Sequence, residues 1–180
     1  MKITNPIFCL LALILTFCNQ PKKEVVETPN PIAEKLEDYK SVKLTTDLSQ
    51  LSENEKAMLP KLIEAAQIMD GLFWYEAYGD KEALMSGITD EATNKYLNIN
   101  YGPWDRLDDN NPFLEGIGVK PEGANFYPLD MTKEEFENAD LPGKDSQYTF
   151  LRRDDEGELY VIPYFEMFTT QVQKVSALLN

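Results

Sequence analysis

The sequence predicts an α+β fold, a mostly helical lobe with one antiparallel β-hairpin and one long ordered loop. Ser/Thr-x-x-Glu capping boxes at residues 52–55 and 132–135 mark the starts of two helices. Apolar residues recur at helical spacing after the first box and again at the end of the chain. Residues 147–163 alternate apolar and polar side chains on both sides of an Asp-Asp-Glu-Gly turn, which predicts the hairpin.

The first long helix is predicted to begin after Ser52 and to end at Gly79. Its apolar stripe is expected to face the core and comprises Leu59, Leu62, Ile63, Ala66, Met69 and Phe73. Pro60 lies within this run. Because proline has no backbone N–H, we expect it to kink the helix or to divide it near Leu59.

Shorter helices are predicted to follow, with Asp80 and Thr89 as their N-caps. The last helix should present one apolar face, formed by Tyr164, Phe168, Val172, Val175 and Leu179. No capping signal follows this face. We therefore expect it to pack against a lobe that these 180 residues do not contain, so that the chain forms a partial domain.

The composition excludes several classes of function. The net charge of −14 repels phosphate backbones, so a nucleic acid is not expected as a partner. The chain contains no histidine, which rules out an HExxH zinc site, a Ser-His-Asp triad and a Cys-His pair within it. Its two cysteines, Cys9 and Cys18, both precede the body, which leaves the body without a thiol.

The pattern of the amino-terminal residues is typical of an export signal. Residues 1–18 combine one lysine with an apolar run that is too short to span a bilayer, and residues 15–18 resemble a bacterial lipobox. We expect Cys18 to be lipidated and residues 19–44 to form a flexible tether without a buried face. The predicted location is the bacterial cell envelope, as a membrane-anchored lipoprotein. A plain signal peptide is the alternative, because Phe17 stands where a small residue is usual.

Residues 100–128 show no periodicity and are rich in Gly and Pro. Loops of this length are uncommon in compact domains unless they have a function. Four large aromatic side chains, Trp104, Phe113, Phe126 and Tyr127, need to be covered. We therefore expect the loop to be ordered against the helices.

This loop also carries a resemblance to a known family. Residues 100–108 read NYGPWDRLD, residues 112–114 read PFL, and residues 120–128 read KPEGANFYP. The block is similar to one in the dipeptidyl-peptidase III family, closest to the bacterial members and to plant proteins that join such a domain to a Nudix hydrolase. The resemblance covers residues 45–180 and corresponds to the N-terminal portion of a family member.

The resemblance implies part of a two-lobed zinc peptidase that removes dipeptides from the amino ends of short peptides. Zinc is held in that family by two histidines of an HExxGH helix and a further glutamate. No residue here matches those elements, so no catalytic or metal residue is carried over and no cofactor is expected in this chain. Whether the protein is an enzyme is left open.

Some residues of the matched block are suited to a cleft that holds a peptide. The candidates are Trp104, Asp105, Arg106, Asn125 and Tyr127. Asn offers a donor and an acceptor, and a carboxylate can pair with a free amine. The structural interpretation is that the aromatic side chains fill the lobe and that Asp105 and Arg106 hold the loop in place.

Three functional hypotheses follow. The first is a truncated dipeptidyl-peptidase III-like hydrolase, inactive alone, whose partner is a missing C-terminal lobe. The second is a non-catalytic, lipid-anchored protein that binds a peptide or has a structural role. The third is a carboxylate-only enzyme using a pair such as Asp108/Asp109 or Asp154/Asp155, although such pairs arise by chance in a chain with 31 acidic residues.

Overall fold

A computed structural model describes residues 30–180 and confirms the predicted α+β class. The signal segment, Cys18 and the first part of the tether lie outside the described residues. The elements are α1 (Pro31–Lys35), a 3₁₀ turn (Leu36–Asp38), α2 (Glu53–Ala77), α3 (Lys81–Met85), α4 (Glu91–Asn100), β1 (Trp104–Asp105), β2 (Asn111–Pro112), α5 (Lys133–Asn138), β3 (Thr149–Arg153), β4 (Leu159–Pro163), α6 (Tyr164–Met167) and α7 (Thr169–Leu179). From residue 30 onward, no helix is both long and apolar enough to cross a membrane.

Helix α2 is the longest element, and its predicted capping box is present. The Ser52 hydroxyl accepts a hydrogen bond from the backbone N–H of Glu55, and the Glu55 carboxylate accepts one from the N–H of Ser52 at 2.7 Å. The helix runs for 25 residues and Pro60 does not divide it. Since Pro60 lies at the exposed surface, water can satisfy the carbonyl that the missing N–H leaves free.

The prediction of which α2 face is buried is wrong. Leu62, Ile63, Met69 and Phe73 are all exposed, whereas Ala65, Leu72 and Trp74 are buried. The periodicity correctly indicated a helix, but α2 carries apolar residues on more than one face. Spacing alone cannot decide which of those faces meets the rest of the chain.

The predicted hairpin is confirmed and supplies the centre of the core. Strands β3 and β4 pair antiparallel, with Phe150 opposite Ile162 and Leu151 opposite Val161. The Phe150 ring is fully buried. The rings within about 6 Å of it, by centroid distance, belong to Tyr75, Phe126, Tyr164 and Phe168.

The long loop is ordered, as expected, and contains a short hairpin that the sequence did not reveal. Strand β1 pairs with β2, and Trp104 lies opposite Pro112. Further along, the backbone N–H of Asn125 donates to the Glu76 carbonyl at 2.9 Å, and the Asn125 side chain donates to the Tyr75 carbonyl at 2.8 Å. One residue of the loop thereby satisfies two carbonyls that the end of α2 leaves free.

The shorter helices begin close to their predicted caps. Asp80 caps α3 as expected, but α4 is capped by Asp90 instead of Thr89. Thr132 caps α5, yet only half of the expected box forms. The Glu135 carboxylate instead accepts two hydrogen bonds from the Arg153 guanidinium, each at 2.8 Å.

The last helix differs from the prediction in two respects. It is divided at Phe168 into α6 and α7. The Phe168 side chain is buried, Val172 packs against the same core, and α7 lies along α2. The expectation that the face from Phe168 to Leu179 awaits another lobe is therefore wrong for its first half, although Leu179 is exposed.

Residues 30–39 are docked on the body, so the expectation that nothing in the tether buries a face is wrong here. Ile32 is buried, and the Asn30 side chain donates to the Asp90 carboxylate at 2.6 Å. The Tyr39 ring meets the Tyr96 ring edge to face, with centroids 5.8 Å apart. Helix α1 packs against α4. Ile32, Leu36 and Tyr39 recur at i, i+4 and i+7, and this short helical spacing was the available sequence signal for the contact.

An ion pair fixes the docked segment. The Lys35 amine lies 2.5 Å from the carboxylate of Asp105, whose side chain is almost completely buried. Burial opposes ionisation of this carboxylate. Hydrogen bonds from Lys35, Tyr96 and the N–H of Leu107 outweigh the burial and hold the pKa of Asp105 below its usual range. The hydrogen bond from Lys35 to Asp105 in turn raises the pKa of the lysine.

We expect Lys35→Met to lower the free energy of unfolding by about 1–2 kcal/mol at neutral pH. It leaves the Asp105 carboxylate buried without its cation, and the partial exposure of Lys35 reduces the effect below that of a fully buried pair. Because the pKa of folded Asp105 is depressed, the pair stabilises the protein above about pH 4 and its contribution is lost as the pH falls through that pKa. Urea unfolding at about pH 7 and about pH 3 measures both effects.

The control is Lys43→Met, since Lys43 is exposed. We expect its unfolding free energy to stay within about 0.5 kcal/mol of wild type. A Lys35→Met loss that is equally large at both pH values would contradict the assigned role of Asp105.

Candidate functional site

A surface cavity of about 570 Å³ lies where the end of α2 meets the long loop. Its aromatic wall is formed by Tyr78 and Trp104, whose ring centroids are 5.7 Å apart. The remaining lining residues are Ala77, Gly116, Ile117, Gly118, Val119, Pro121, Ala124, Asn125 and Leu129. A cavity of this size, mainly apolar with few polar groups, suits an apolar group that is oriented by one or two hydrogen bonds.

Trp104 connects the two sides of this cavity. Its indole N–H donates to the Gly118 carbonyl at 2.9 Å and closes the loop on itself. The Lys120 amine lies 5.9 Å from the centroid of the Trp104 ring and donates to the Asn110 side chain at 3.1 Å. Burial, together with repulsion from Arg106, lowers the pKa of Lys120. The indole therefore has a structural role in addition to forming a cavity wall.

Asp105 and Arg106 point away from the cavity. The Asp105 carboxylate is engaged by Lys35 and by the backbone N–H of Leu107 at 3.0 Å. The Arg106 guanidinium donates to the Ile99 carbonyl and lies over the Tyr101 ring. These contacts match the structural interpretation of the pair, in which both side chains hold the loop in place.

Asn125 and Tyr127 occupy different positions. Asn125 lines the cavity while its amide caps α2. Tyr127 instead lines a separate cavity of about 390 Å³, beside Gln147. Its ring lies against Gly123, where an added Cβ would come within 2.4 Å of it. Of the five candidate residues, the structure thus brings only Trp104 and Asn125 together at one cavity.

In each acidic pair considered from the sequence, one carboxylate is engaged by neighbouring groups. Asp154 accepts hydrogen bonds from the backbone N–H groups of Glu156 and Glu158, at 3.1 and 2.8 Å. The Asp108 carboxylate lies 3.5 Å from the Lys35 amine. Across residues 30–180, no group of three or more His, Cys, Asp or Glu side chains is placed to hold a metal ion.

Sequence reasoning missed two residues that shape these sites. Tyr78 faces Trp104 across the cavity wall but lies just beyond α2, where helical periodicity no longer applies. Lys35 is the cation of Asp105, yet the two residues are 70 positions apart. No local pattern in the sequence pairs residues at that distance. The aromatic run at residues 73–75 and Tyr78 was the one available signal for the cavity wall.

Comparison with known proteins identifies the fold. No family model matches the sequence. The structure of DPP III from Caldithrix abyssi superposes with a TM-score of 0.72 and 34 % identity, over 82 % of this chain and 29 % of that one. Dipeptidyl-peptidase III from Corallococcus sp. strain EGB gives a TM-score of 0.73 and 27 % identity, over 83 % and 30 %. This chain is similar to part of dipeptidyl-peptidase III.

A plant protein also matches this chain at the sequence level. Nudix hydrolase 3 of Arabidopsis thaliana is 27 % identical over 211 aligned positions, which cover 83 % of this chain and 27 % of the plant protein. The resemblance to dipeptidyl-peptidase III that was inferred from the loop is therefore confirmed. The chain spans less than a third of the length of each of these relatives.

We expect Trp104→Ala to lower the free energy of unfolding by about 3 kcal/mol, because it removes a buried ring and the bond to Gly118. Trp104→Phe keeps most of the ring and loses only the N–H donor, so a loss of about 1 kcal/mol is expected. Leu107→Ala is the control, because its exposed side chain should change the free energy by less than about 0.5 kcal/mol. Denaturant unfolding gives the three values.

Hydrogen exchange tests the same loop independently. The N–H groups of Asn125 and Leu151, which are bonded to Glu76 and Phe126, should be protected in the wild type and less so in Trp104→Ala. Fast exchange throughout residues 100–128 of the wild type would contradict the ordered loop.

Proposed function

We propose that this chain carries one part of a dipeptidyl-peptidase III-like zinc hydrolase and that, by itself, it neither holds the catalytic zinc nor cleaves peptides. The observation that carries the proposal is the 34 % identity to part of DPP III in a chain that contains no histidine. A hydrolytic zinc site needs three protein ligands and an open position, and the resemblance implies imidazole for two of those ligands.

The side chains that remain do not fit a catalytic zinc. The body has no thiol, and among its carboxylates Asp154 is held in a turn and Asp105 in an ion pair. Exposed acidic groups bind divalent ions weakly and lack the dry pocket and supporting hydrogen bonds that lower the pKa of a bound water. The residues of this chain supply packing and a cavity wall, and the missing ligands would come from residues outside it.

The second candidate is a non-catalytic protein that binds peptides with the same lobe. The cavity at Trp104 favours it, since Tyr78, Trp104 and Leu129 offer an apolar wall beside the amide of Asn125. Such a cavity accepts an apolar side chain of an extended peptide. Peptide binding without hydrolysis would agree with both candidates. Hydrolysis of the bound peptide would instead indicate a complete enzyme.

We expect the full chain, purified in a mild non-ionic detergent, to show no zinc-dependent hydrolysis of a dipeptidyl-arylamide. The physical reason is the absence of imidazole and thiolate ligands from its body. Calorimetric titration with zinc should give only weak binding. The Caldithrix abyssi protein, assayed in parallel, is the positive control. Turnover that a chelator abolishes and that zinc restores would overturn the proposal.

We further propose that Cys18 carries lipid and anchors the protein in the bacterial cell envelope. The apolar run and the lipobox-like residues 15–18 support this assignment. The residues between Cys18 and Asn30, which is docked on the body, would link the body to the membrane surface by a short tether.

Cys18→Ser should shift the protein from the membrane fraction to the soluble fraction, since the acyl chains supply the membrane affinity. Cys9→Ser is the matched control, because Cys9 lies within the apolar run and should leave the fractionation unchanged. Mass spectrometry of the wild type should show a lipid-modified amino-terminal cysteine. An unmodified chain that begins at another residue would reject the lipid anchor.

A further inference from the structure

Helix α2 carries a row of large apolar side chains that the described residues cover only in part. Met58, Leu62, Met69 and Phe73 recur at i, i+4, i+11 and i+15, which places them within about 60° of one another around the helix. We call these four residues the α2 stripe. Each side chain is between 41 % and 48 % exposed. Leu72 lies about 40° from Met58 around the helix axis and packs on the core, so the stripe borders the buried face of α2.

A helix whose apolar residues extend well beyond the face that is already buried is typical of an interior helix in a larger domain. A surface helix of a small domain needs one apolar face, and that need is met here by Leu72 and Tyr75. The stripe contributes only part of its surface to this packing, for example where the Phe73 ring meets Tyr101. Large apolar side chains grouped in this way mark a contact surface.

The acidic groups that border the stripe are already engaged. The Glu55 carboxylate belongs to the capping box, and the Asp70 carboxylate accepts a hydrogen bond from the Tyr101 hydroxyl. The Tyr101 ring also packs edge to face on Phe73 at the far end of the stripe. The surface consequently offers apolar contacts and few free charges, so its partner should be apolar at this point.

The near end of the stripe continues into a groove between α2 and α7. A cavity of about 240 Å³ is lined there by Met58, Leu62, Leu178 and Leu179, together with Asn54 and Lys61. Leu179 is itself 56 % exposed. Stripe and groove share Met58 and Leu62 and therefore form one continuous apolar surface along α2.

We propose that this surface binds a polypeptide carrying the part of the dipeptidyl-peptidase III fold that this chain does not contain. The match covers 82 % of this chain but 29 % of the Caldithrix abyssi protein, so most of that fold has no counterpart here. A second copy is a poorer occupant, because each chain carries a net charge of −14 and two copies repel. The inference rests on the proposed function, which takes the chain to be one part of that fold.

The test uses the Caldithrix abyssi protein from which the matched part has been deleted, produced together with the full chain and purified in a mild non-ionic detergent. We expect a one-to-one complex by light scattering. The double variant Met69→Asp/Phe73→Asp should weaken it at least tenfold, because both side chains would lie at the centre of the interface. Met69→Leu/Phe73→Leu should preserve it.

The matched control is Val42→Asp/Leu44→Asp, at residues that are 75 % and 90 % exposed and lie outside α2, and it should leave the complex unchanged. Circular dichroism establishes that each variant is folded. Absence of a complex overturns the proposal, as does a complex that the Met69→Asp/Phe73→Asp variant leaves unweakened. Stripe-dependent dimers of the chain alone also overturn it, because the occupant is then a second copy.

Different measurements would contradict the proposed function and the assignment of the α2 stripe. Zinc-dependent hydrolysis by the chain alone contradicts the proposed function, whatever the chain binds. Failure to bind the complementary polypeptide contradicts only the assignment of the α2 stripe.

Discussion

The structure depends on the junction between the end of α2 and residues 125–126. Asn125 satisfies the carbonyls of Tyr75 and Glu76, and the next residue turns its ring onto Phe150 at a centroid distance of 4.8 Å. The Phe126 carbonyl then accepts the N–H of Leu151 from strand β3 at 3.0 Å. Two adjacent loop residues thus join the long helix, the hairpin and the aromatic core, because each pairs backbone groups that burial would otherwise leave unsatisfied.

This junction explains why a Gly- and Pro-rich loop can form the wall of a cavity. Since the loop is fixed at Asn125 and again where the Trp104 indole bonds to Gly118, the cavity between these points has rigid walls. A preformed cavity loses little conformational entropy when it is filled. The charges of Asp105 and Arg106 lie behind this wall, where they hold β1 to α1 and α4.

Helix α2 connects the core, the cavity and the exposed stripe. Its buried face packs on Phe168 and the hairpin, its end supports the cavity at Tyr78, and the bordering row of side chains includes Met69 and Phe73. Because one rigid helix bears all three, a partner bound along the stripe would be positioned with respect to the cavity.

The sequence by itself determined the local elements. Residues close together in the chain carry the capping at Ser52 and Thr132 and the alternation that forms β3 and β4. The likeness to dipeptidyl-peptidase III is also carried by such residues, where short-range sterics and hydrogen bonds act. The tertiary structure decided which face of α2 is buried, that Glu135 pairs with Arg153 instead of closing its box, and that Lys35 reaches Asp105. It also separated Tyr127 from Trp104. These outcomes depend on competition among partners that are distant in the chain, and only the packed fold fixes those distances.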